Sequence, residues 1–133
     1  MPGAREMSHK SMAAMERRDR QGWLSLFADD GVVEDPVGPS MFDPEGKGHH
    51  GHEGIGAFFD TVTSLYDKMS IEIGASYECA NEVANVGTIT LTLADGTVGR
   101  VSGVFVYRVN EEGQIASLRA FWEPANIEFE FAS

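Results

Sequence analysis

The sequence has little positive charge and almost no cysteine. Its 133 residues carry 10 Lys and Arg against 21 Asp and Glu, which gives a net charge of -11. This balance argues against nucleic acid or an anionic membrane as a partner, because both need clustered basic side chains. Cys79 is the single cysteine, so an intramolecular disulfide is excluded, and a reducing, cytoplasmic location is expected.

Long apolar runs are also missing. No segment approaches the roughly 18 apolar residues of a membrane helix. The N-terminal MPGAREMSHK lacks the apolar centre of a secretory signal. We therefore expect no membrane contact.

The sequence also lacks a recognisable metal-binding pattern. His49, His50, His52 and Glu53 are of metal-ligand types, but they crowd a glycine-rich loop. Zinc-binding helices instead carry two histidines four residues apart on one face. We predict a solvated loop at this point, with no metal and no cofactor.

What the sequence does contain is enough apolar side chain for a core. Hydrophobic residues make up 42% of the chain and include eight Phe and two Trp. This composition and length suit one globular domain. We predict a single domain over residues 1–133, with tails at residues 1–7 and 127–133.

The first half of the chain predicts three helices and one strand. Residues 7–18 lack Gly and Pro and have good helix composition. GWLSLFADD, residues 22–30, predicts a short second helix, and HEGIGAFFDTVTSLYDK, residues 52–68, carries an apolar stripe at helical spacing. Between them, GVVED at residues 31–35 predicts a strand, and residues 36–51 predict a loop.

Beyond residue 68 the apolar period changes to two. Strands are predicted from Met69 onward and over residues 82–93, 97–109 and 114–124, with turn signals between them. Helices followed by antiparallel hairpins indicate the α+β class. We predict a curved, mostly antiparallel sheet wrapped around three helices as a cone-shaped barrel, with an apolar cavity for a ligand. The segment from residue 127 alternates weakly and is expected as a tail or a short edge strand.

The stretch VVEDPVG, residues 32–38, places a carboxylate among valines. Strand side chains alternate, so Val33 and Asp35 share a face. If Val33 faces the apolar layer, the Asp35 carboxylate does too, and burial there raises its pKa and makes it a candidate general base. The alternative is a solvated turn residue in front of Pro36.

Three segments resemble the ketosteroid isomerase family of the nuclear-transport-factor-like and SnoaL-like (polyketide-cyclase-like) superfamily. They are GWLSLFADDGVVEDPVG, GHEGIGAFFD and VFVYRVNEEGQIASLRAFW, and the likeness runs from about residue 8 to 124. The resemblance implies a steroid delta-isomerase-like protein that binds a steroid or similar apolar polycyclic ligand. In these isomerases the Asp at the position of Asp35 is a base that moves a proton next to a ketone.

The resemblance also implies two oxyanion donors, and here the sequence departs from the family. Ser11 stands at the position of the family's helix Tyr, and Phe105 at that of its neutral Asp. Trp122, Tyr77 and Tyr107 are candidate replacement donors. The other residues predicted to contact the ligand are Val33, Phe58, Phe59, Val62 and Leu118.

Two further functions stay open. A non-catalytic binding protein for steroid-like or polyketide-like ligands would fit the missing donors. Epoxide hydrolysis and polyketide cyclisation, found elsewhere in the superfamily, are less favoured. The hydrolases need an Asp–Arg–Asp set. Here Ser102 stands two residues after Arg100, and Ala120 stands directly after Arg119, so both required carboxylates are missing.

A homodimer is expected from the same resemblance. Members of the superfamily often pair through the convex face of the sheet. Val104 and Val106 would lie on that face if Phe105 points inward.

Overall fold

The computed structural model describes residues 2–132. Within this range the chain forms three α-helices and seven β-strands. The helices are α1 (Ala4–Glu16), α2 (Arg20–Leu24) and α3 (Gly51–Thr63). The strands are β1 (Phe27–Glu34), β2 (His49–His50), β3 (Lys68–Cys79), β4 (Glu82–Thr92), β5 (Val98–Val109), β6 (Ile115–Phe121) and β7 (Glu128–Glu130).

All the strands belong to one sheet. Its order is β2-β1-β6-β5-β4-β3, and β7 pairs with the first residues of β5. The pair β1–β6 is parallel, whereas the other described pairs are antiparallel. Helix α1 packs on β3, β4 and β5, and α3 packs on β1. The predicted α+β class is confirmed: a curled, mostly antiparallel sheet encloses three helices.

Two glycines stand opposite each other where the neighbouring backbone leaves no room for a side chain. Gly87 of β4 lies opposite Gly103 of β5. A β-carbon on Gly87 would stand 2.3 Å from the Glu72 carbonyl oxygen, and one on Gly103 would stand 2.3 Å from the Phe121 carbonyl oxygen. Any side chain at these positions would push the backbones apart, so glycine permits the close approach.

The core is built around an aromatic cluster between the helices and the sheet. Trp23 of α2 is almost completely buried. Its ring centroid lies 4.9 Å from that of Phe27 and 5.5 Å from that of Phe59. Aromatic rings at these separations contribute packing beyond their buried area. The short helix α2 is thereby fixed against α3 and the start of β1.

The predicted second helix is wrong beyond Leu24. Helix α2 ends at Leu24, and residues 27–30 form the first half of β1. Phe27 is buried and pairs with Ile115 on β6. The partner is 88 residues away in sequence, so local composition does not reveal this strand.

The two predicted tails contain ordered structure. Helix α1 begins at Ala4 rather than at residue 7, and both Ala4 and Met7 are buried, so residues 4–7 belong to the folded domain. At the other end β7 forms an edge strand with Val98 opposite Glu130. Met1 and Ser133, at the outer ends of these predicted tails, lie outside the described residues.

Neither of the two longer helices has the length of a membrane span. Helices α1 and α3 have 13 residues each, whereas a bilayer requires roughly 20. In the part of the chain that is described, no helix is long and apolar enough to cross a membrane.

Candidate active site

An apolar cavity lies between the helices and the concave face of the sheet. It consists of a deep chamber of about 60 Å³ and an outer chamber of about 310 Å³. Five side chains border both chambers, so the two chambers adjoin. These are Asp35, Phe58, Val62, Met69 and Ile89.

Asp35 stands where the two chambers meet. In β1 the side chain of Val33 is fully buried, and Glu34 points the other way to an ion pair with Arg119 at 3.1 Å. Asp35 follows directly and is half-buried, with its carboxylate at the cavity. The alternation read from the sequence therefore holds one residue beyond the end of the strand.

The environment of Asp35 suits a general base. Burial raises the pKa of its carboxyl group from 3.8 to about 6, although a hydrogen bond from Trp122 acts in the opposite direction. At neutral pH such a group is ionised, yet it binds a proton more readily than an exposed aspartate. A carboxylate of this kind next to an apolar chamber can take a proton from carbon and return it.

Trp122 orients the carboxylate. Its indole Nε1–H donates to Asp35 Oδ1 at 2.5 Å. Because this hydrogen is already used, Trp122 is not the free oxyanion donor considered from the sequence. The second oxygen, Oδ2, accepts no hydrogen bond from residues 2–132 and remains available to a ligand.

Three polar side chains meet at the deep chamber. Trp23 Nε1–H donates to Ser11 Oγ at 2.9 Å, and Ser11 Oγ lies 3.0 Å from the Tyr107 hydroxyl oxygen. Ser11 and Tyr107 are both buried. Burial raises the pKa of Tyr107 well above its usual range, so its hydroxyl keeps its proton throughout the pH range of a folded protein.

The remaining wall of the deep chamber is apolar. Phe105 and Leu118 are buried and border the chamber from β5 and β6. Phe58 and Val62 of α3 face them. Phe105 has no polar hydrogen, so this part of the wall supplies no hydrogen-bond donor.

Three of the predicted ligand contacts lie elsewhere. Val33 and Phe59 are core residues, at 0% and 4% exposure, outside the cavity lining. Tyr77 is 66% exposed. A bulge between Ile73 and Ala75 inverts the inward–outward alternation of β3, which turns Tyr77 to solvent.

Sequence reasoning missed the mouth of the outer chamber. Met41 and Phe42 come from the loop before β2, and Ile127 and Phe129 come from the C-terminal segment. In the sequence, Met41 and Phe42 stand out only as an apolar pair inside a Gly- and Pro-rich loop. Ile127 and Phe129 stand out only by the weak alternation of the last residues. Met69, at the start of β3, was read as part of a strand rather than as a lining residue.

The three histidines between residues 49 and 52 each make a local contact. The His49 ring packs on Phe58 with centroids 4.8 Å apart. His50 Nε2 lies 2.6 Å from the Lys47 carbonyl oxygen, and His52 Nε2 lies 2.9 Å from that of Phe27. Among residues 2–132 no three His, Cys, Asp or Glu side chains are grouped so that they could hold a metal ion.

Comparison with known sequences identifies related proteins. The family model described as SnoaL-like domain matches residues 9–118. A Steroid Delta-isomerase from Nocardioides simplex is 29% identical over 103 residues, which make up 77% of this chain and 76% of that protein.

Solved structures share the whole architecture. RV0760c from Mycobacterium tuberculosis, in complex with estradiol-17beta-hemisuccinate, has a TM-score of 0.89 and 34% identity, covering 97% of this chain and 100% of that one. The Delta 5-3-ketosteroid isomerase from Mycobacterium sp. has a TM-score of 0.85 and 34% identity, covering 93% and 95%. The cone-shaped fold predicted from the sequence is confirmed by both.

Proposed function

The chain belongs to the SnoaL-like domain family, and on this premise we propose that it binds a steroid-like ketone and moves a proton next to the keto group. The observation that carries the proposal is the Asp35 carboxylate at the junction of two apolar chambers. A steroid isomerase among the relatives, and a steroid complex and a ketosteroid isomerase among the structural neighbours, support the ligand class.

The reaction needs one base and one ketone. Asp35 Oδ2 takes a proton from the carbon next to the carbonyl group, and the electron pair of that C–H bond passes into an enolate. When a double bond adjoins this carbon, the enolate extends over it as a dienolate. Asp35 then returns the same proton to the far carbon, which leaves a conjugated ketone and the original carboxylate.

The dimensions of the cavity are compatible with such a ligand. Pockets for small molecules start at about 300 Å³ and are lined mainly by apolar side chains with a few polar groups. The outer chamber has about 310 Å³. Its lining consists of aliphatic and aromatic side chains, with Asp35 at the inner end.

A direct assay tests the proposal. The protein is incubated with a 5-ene-3-ketosteroid, and the absorbance of the conjugated enone is followed. Asp35→Asn keeps the size and the Trp122 contact but removes the base, so it is the matched control. Equal rates for the two proteins would contradict a catalytic role for Asp35.

A non-catalytic binding protein is the second candidate, favoured by one observation. Phe105 lines the deep chamber where the resemblance implies an acidic donor, so the chamber has less power to stabilise an enolate. In this case an equilenin-like steroid binds and quenches the fluorescence of Trp122, which borders the outer chamber, while no enone forms. Turnover that depends on Asp35 would exclude this alternative.

Epoxide hydrolysis is not supported by the surroundings of the two arginines considered for it. Arg100 pairs with Glu130 at 3.1 Å on the surface, and Arg119 pairs with Glu34. The side chains of Arg100 and Arg119 are 43% and 47% exposed, and neither borders the cavity. Conversion of a steroid-sized epoxide to a diol by the protein would instead support epoxide hydrolase activity.

We also propose that two copies pair through the convex face of the sheet. Val86 and Phe121 are 42% and 44% exposed, and Val104 is half-buried beside them. Exposed apolar side chains that adjoin in this way are typical of a contact surface. Sedimentation of the wild type as a dimer and of Val104→Asp as a monomer is expected, and a monomeric wild type would contradict the proposal.

A cytoplasmic location is proposed as well. Cys79 is a free, exposed thiol, and such thiols persist in reducing compartments. Recovery of the native protein from the secreted fraction of its cells would contradict this.

A further inference from the structure

At the deep chamber one polar hydrogen has no acceptor among the described residues. The indole of Trp23 is only a donor, and it donates to Ser11 Oγ. Ser11 and Tyr107 share one further hydrogen bond. Three polar hydrogens therefore enter two hydrogen bonds, and one hydroxyl hydrogen finds no acceptor anywhere in residues 2–132.

The direction of the hydrogen bonds from Trp23 through Ser11 to Tyr107 assigns this hydrogen to Tyr107. If Ser11 donates to Tyr107, Trp23 donates to Ser11 and Ser11 donates to Tyr107 in turn. The three dipoles then point the same way, and each hydrogen bond strengthens the next one. In the reverse arrangement Ser11 would accept from both neighbours, and the head-to-tail alignment of the dipoles would be lost.

The surroundings select the chemistry of the missing acceptor. Asp35 borders the same chamber, and its negative charge contributes to the raised pKa of Tyr107. A second anion is therefore disfavoured next to it, whereas a neutral oxygen that only accepts is not. A keto oxygen satisfies both conditions with the single hydrogen that is available.

The size of the chamber fixes how the ligand enters. About 60 Å³ is less than half of the roughly 150 Å³ cavity that holds one benzene ring. The deep chamber accommodates the carbonyl end of a ligand but not its ring system. The rings then lie in the outer chamber, and the carbons beside the carbonyl group lie at the junction, where Asp35 stands.

We propose that Tyr107 donates its hydroxyl hydrogen to the keto oxygen of the ligand, and that Ser11 and Trp23 position this donor. The inference rests on the proposed function and adds the orientation of the ligand to it. Tyr107 touches the reacting group, whereas Ser11 acts through Tyr107. The ligand is held by its keto end, with the polycyclic body outward.

A pair of matched ligands tests the donor. A 3-ketosteroid and the same steroid without the 3-oxygen are titrated into the wild type, Tyr107→Phe and Tyr77→Phe. The loss of one hydrogen bond to the ketone is expected to weaken binding of the keto ligand by about tenfold in Tyr107→Phe. Binding of the deoxy ligand stays unchanged in all three proteins and shows that the cavity is intact.

The carbonyl stretch of the bound ketone provides a readout that packing alone does not move. It is expected at lower frequency in the wild type than in Tyr107→Phe, because donation weakens the C=O bond. Ser11→Ala is expected to give an intermediate frequency, since Tyr107 remains but is less polarised. A frequency in Ser11→Ala equal to that of the wild type would overturn the positioning role of Ser11.

The outcomes separate the two levels of the proposal. If neither steroid binds the wild type, the proposed function fails and the inference fails with it. If both steroids bind and Tyr107→Phe affects them equally, only the donor role is overturned. A tenfold loss confined to the keto ligand supports it.

Discussion

The indole N–H of Trp122 lies 2.5 Å from the carboxylate of Asp35, although 87 residues separate them. Asp35 follows the last residue of β1, and Trp122 follows the last residue of β6. The two strands are parallel, so both chain segments leave the sheet at the same edge. The one parallel pair among the described strands thus joins the candidate base to its hydrogen-bond donor.

Loss of this donor is expected to shift the pH dependence of turnover. The hydrogen bond from Trp122 lowers the pKa of Asp35, which burial raises to about 6. In Trp122→Phe the burial remains and the hydrogen bond is lost, so the midpoint of kcat/KM against pH moves upward. An unchanged or lower midpoint would contradict this account of the carboxylate. Tyr77→Phe, altered at an exposed position, is the control and keeps the wild-type midpoint.

The wild-type protein itself has a testable pH profile. A general base acts only when it is deprotonated, so turnover rises with pH through about 6 and then levels off. Asp35→Asn removes this dependence together with roughly 10²- to 10⁴-fold of the rate. A midpoint near 4 would mean that the carboxylate is solvated and not shaped by the cavity.

Asp35 is also expected to lower the stability of the fold at neutral pH. Its pKa is higher in the folded protein than the ordinary 3.8, so the folded state binds the proton more tightly. The free energy of unfolding therefore falls as pH rises from 3.8 to about 6, by up to about 3 kcal/mol. Asp35→Asn is neutral at every pH, and it should be more stable than the wild type at pH 8.

Urea unfolding of dilute samples at pH 8 and pH 4 measures this effect. The advantage of Asp35→Asn at pH 8 should largely disappear at pH 4, where both side chains are uncharged. An advantage of the same size at both pH values would point to packing instead of charge.

The close approach of the strands at Gly103 is open to a direct test. A β-carbon there would stand 2.3 Å from a backbone carbonyl oxygen, which cannot move away without moving β6. Gly103→Ala is expected to cost about 1–3 kcal/mol in the free energy of unfolding. Gly74→Ala is the control, since the nearest atom to its β-carbon is 4.0 Å away. Equal losses at the two positions would contradict the steric explanation.

Phe129 tests the outer chamber. Its side chain borders the mouth and is 52% exposed. Phe129→Ala removes an apolar contact and is expected to weaken steroid binding by roughly threefold to tenfold. The pH midpoint of turnover should stay at its wild-type value, because Phe129 lies away from the carboxylate. A shift of that midpoint would mean that the C-terminal segment controls access of water to Asp35.

Local pattern was sufficient for much of this fold. The apolar stripe of α3 and the alternation of β4 and β5 are visible in single segments, and so is the inward direction of Asp35. The first half of β1 was not predictable in this way, because Phe27 is in a strand only by virtue of its distant partner Ile115. The exposure of Tyr77, one of the candidate donors, was not predictable either, because one bulge inverts the alternation of β3.

The candidate site was harder to read than the fold. Tyr107 was one of several possible donors in the sequence, and alternation alone could not choose among them. Its hydroxyl differs from the other candidates because it is hydrogen-bonded to Ser11, which accepts from Trp23. Ser11 and Trp23 come from two helices near the start of the chain. Such a group exists only after the chain has folded.

The outer chamber has one further consequence. Ile127 and Phe129 border it, and both lie beyond residues 9–118, the part that matches the family. One side of the mouth is thus encoded apart from Asp35, Ser11 and Tyr107, whereas the other side, with Met41 and Phe42, lies within the matched part. Substitutions in the final segment can therefore reshape one side of the mouth while the codons for Asp35, Ser11 and Tyr107 stay untouched.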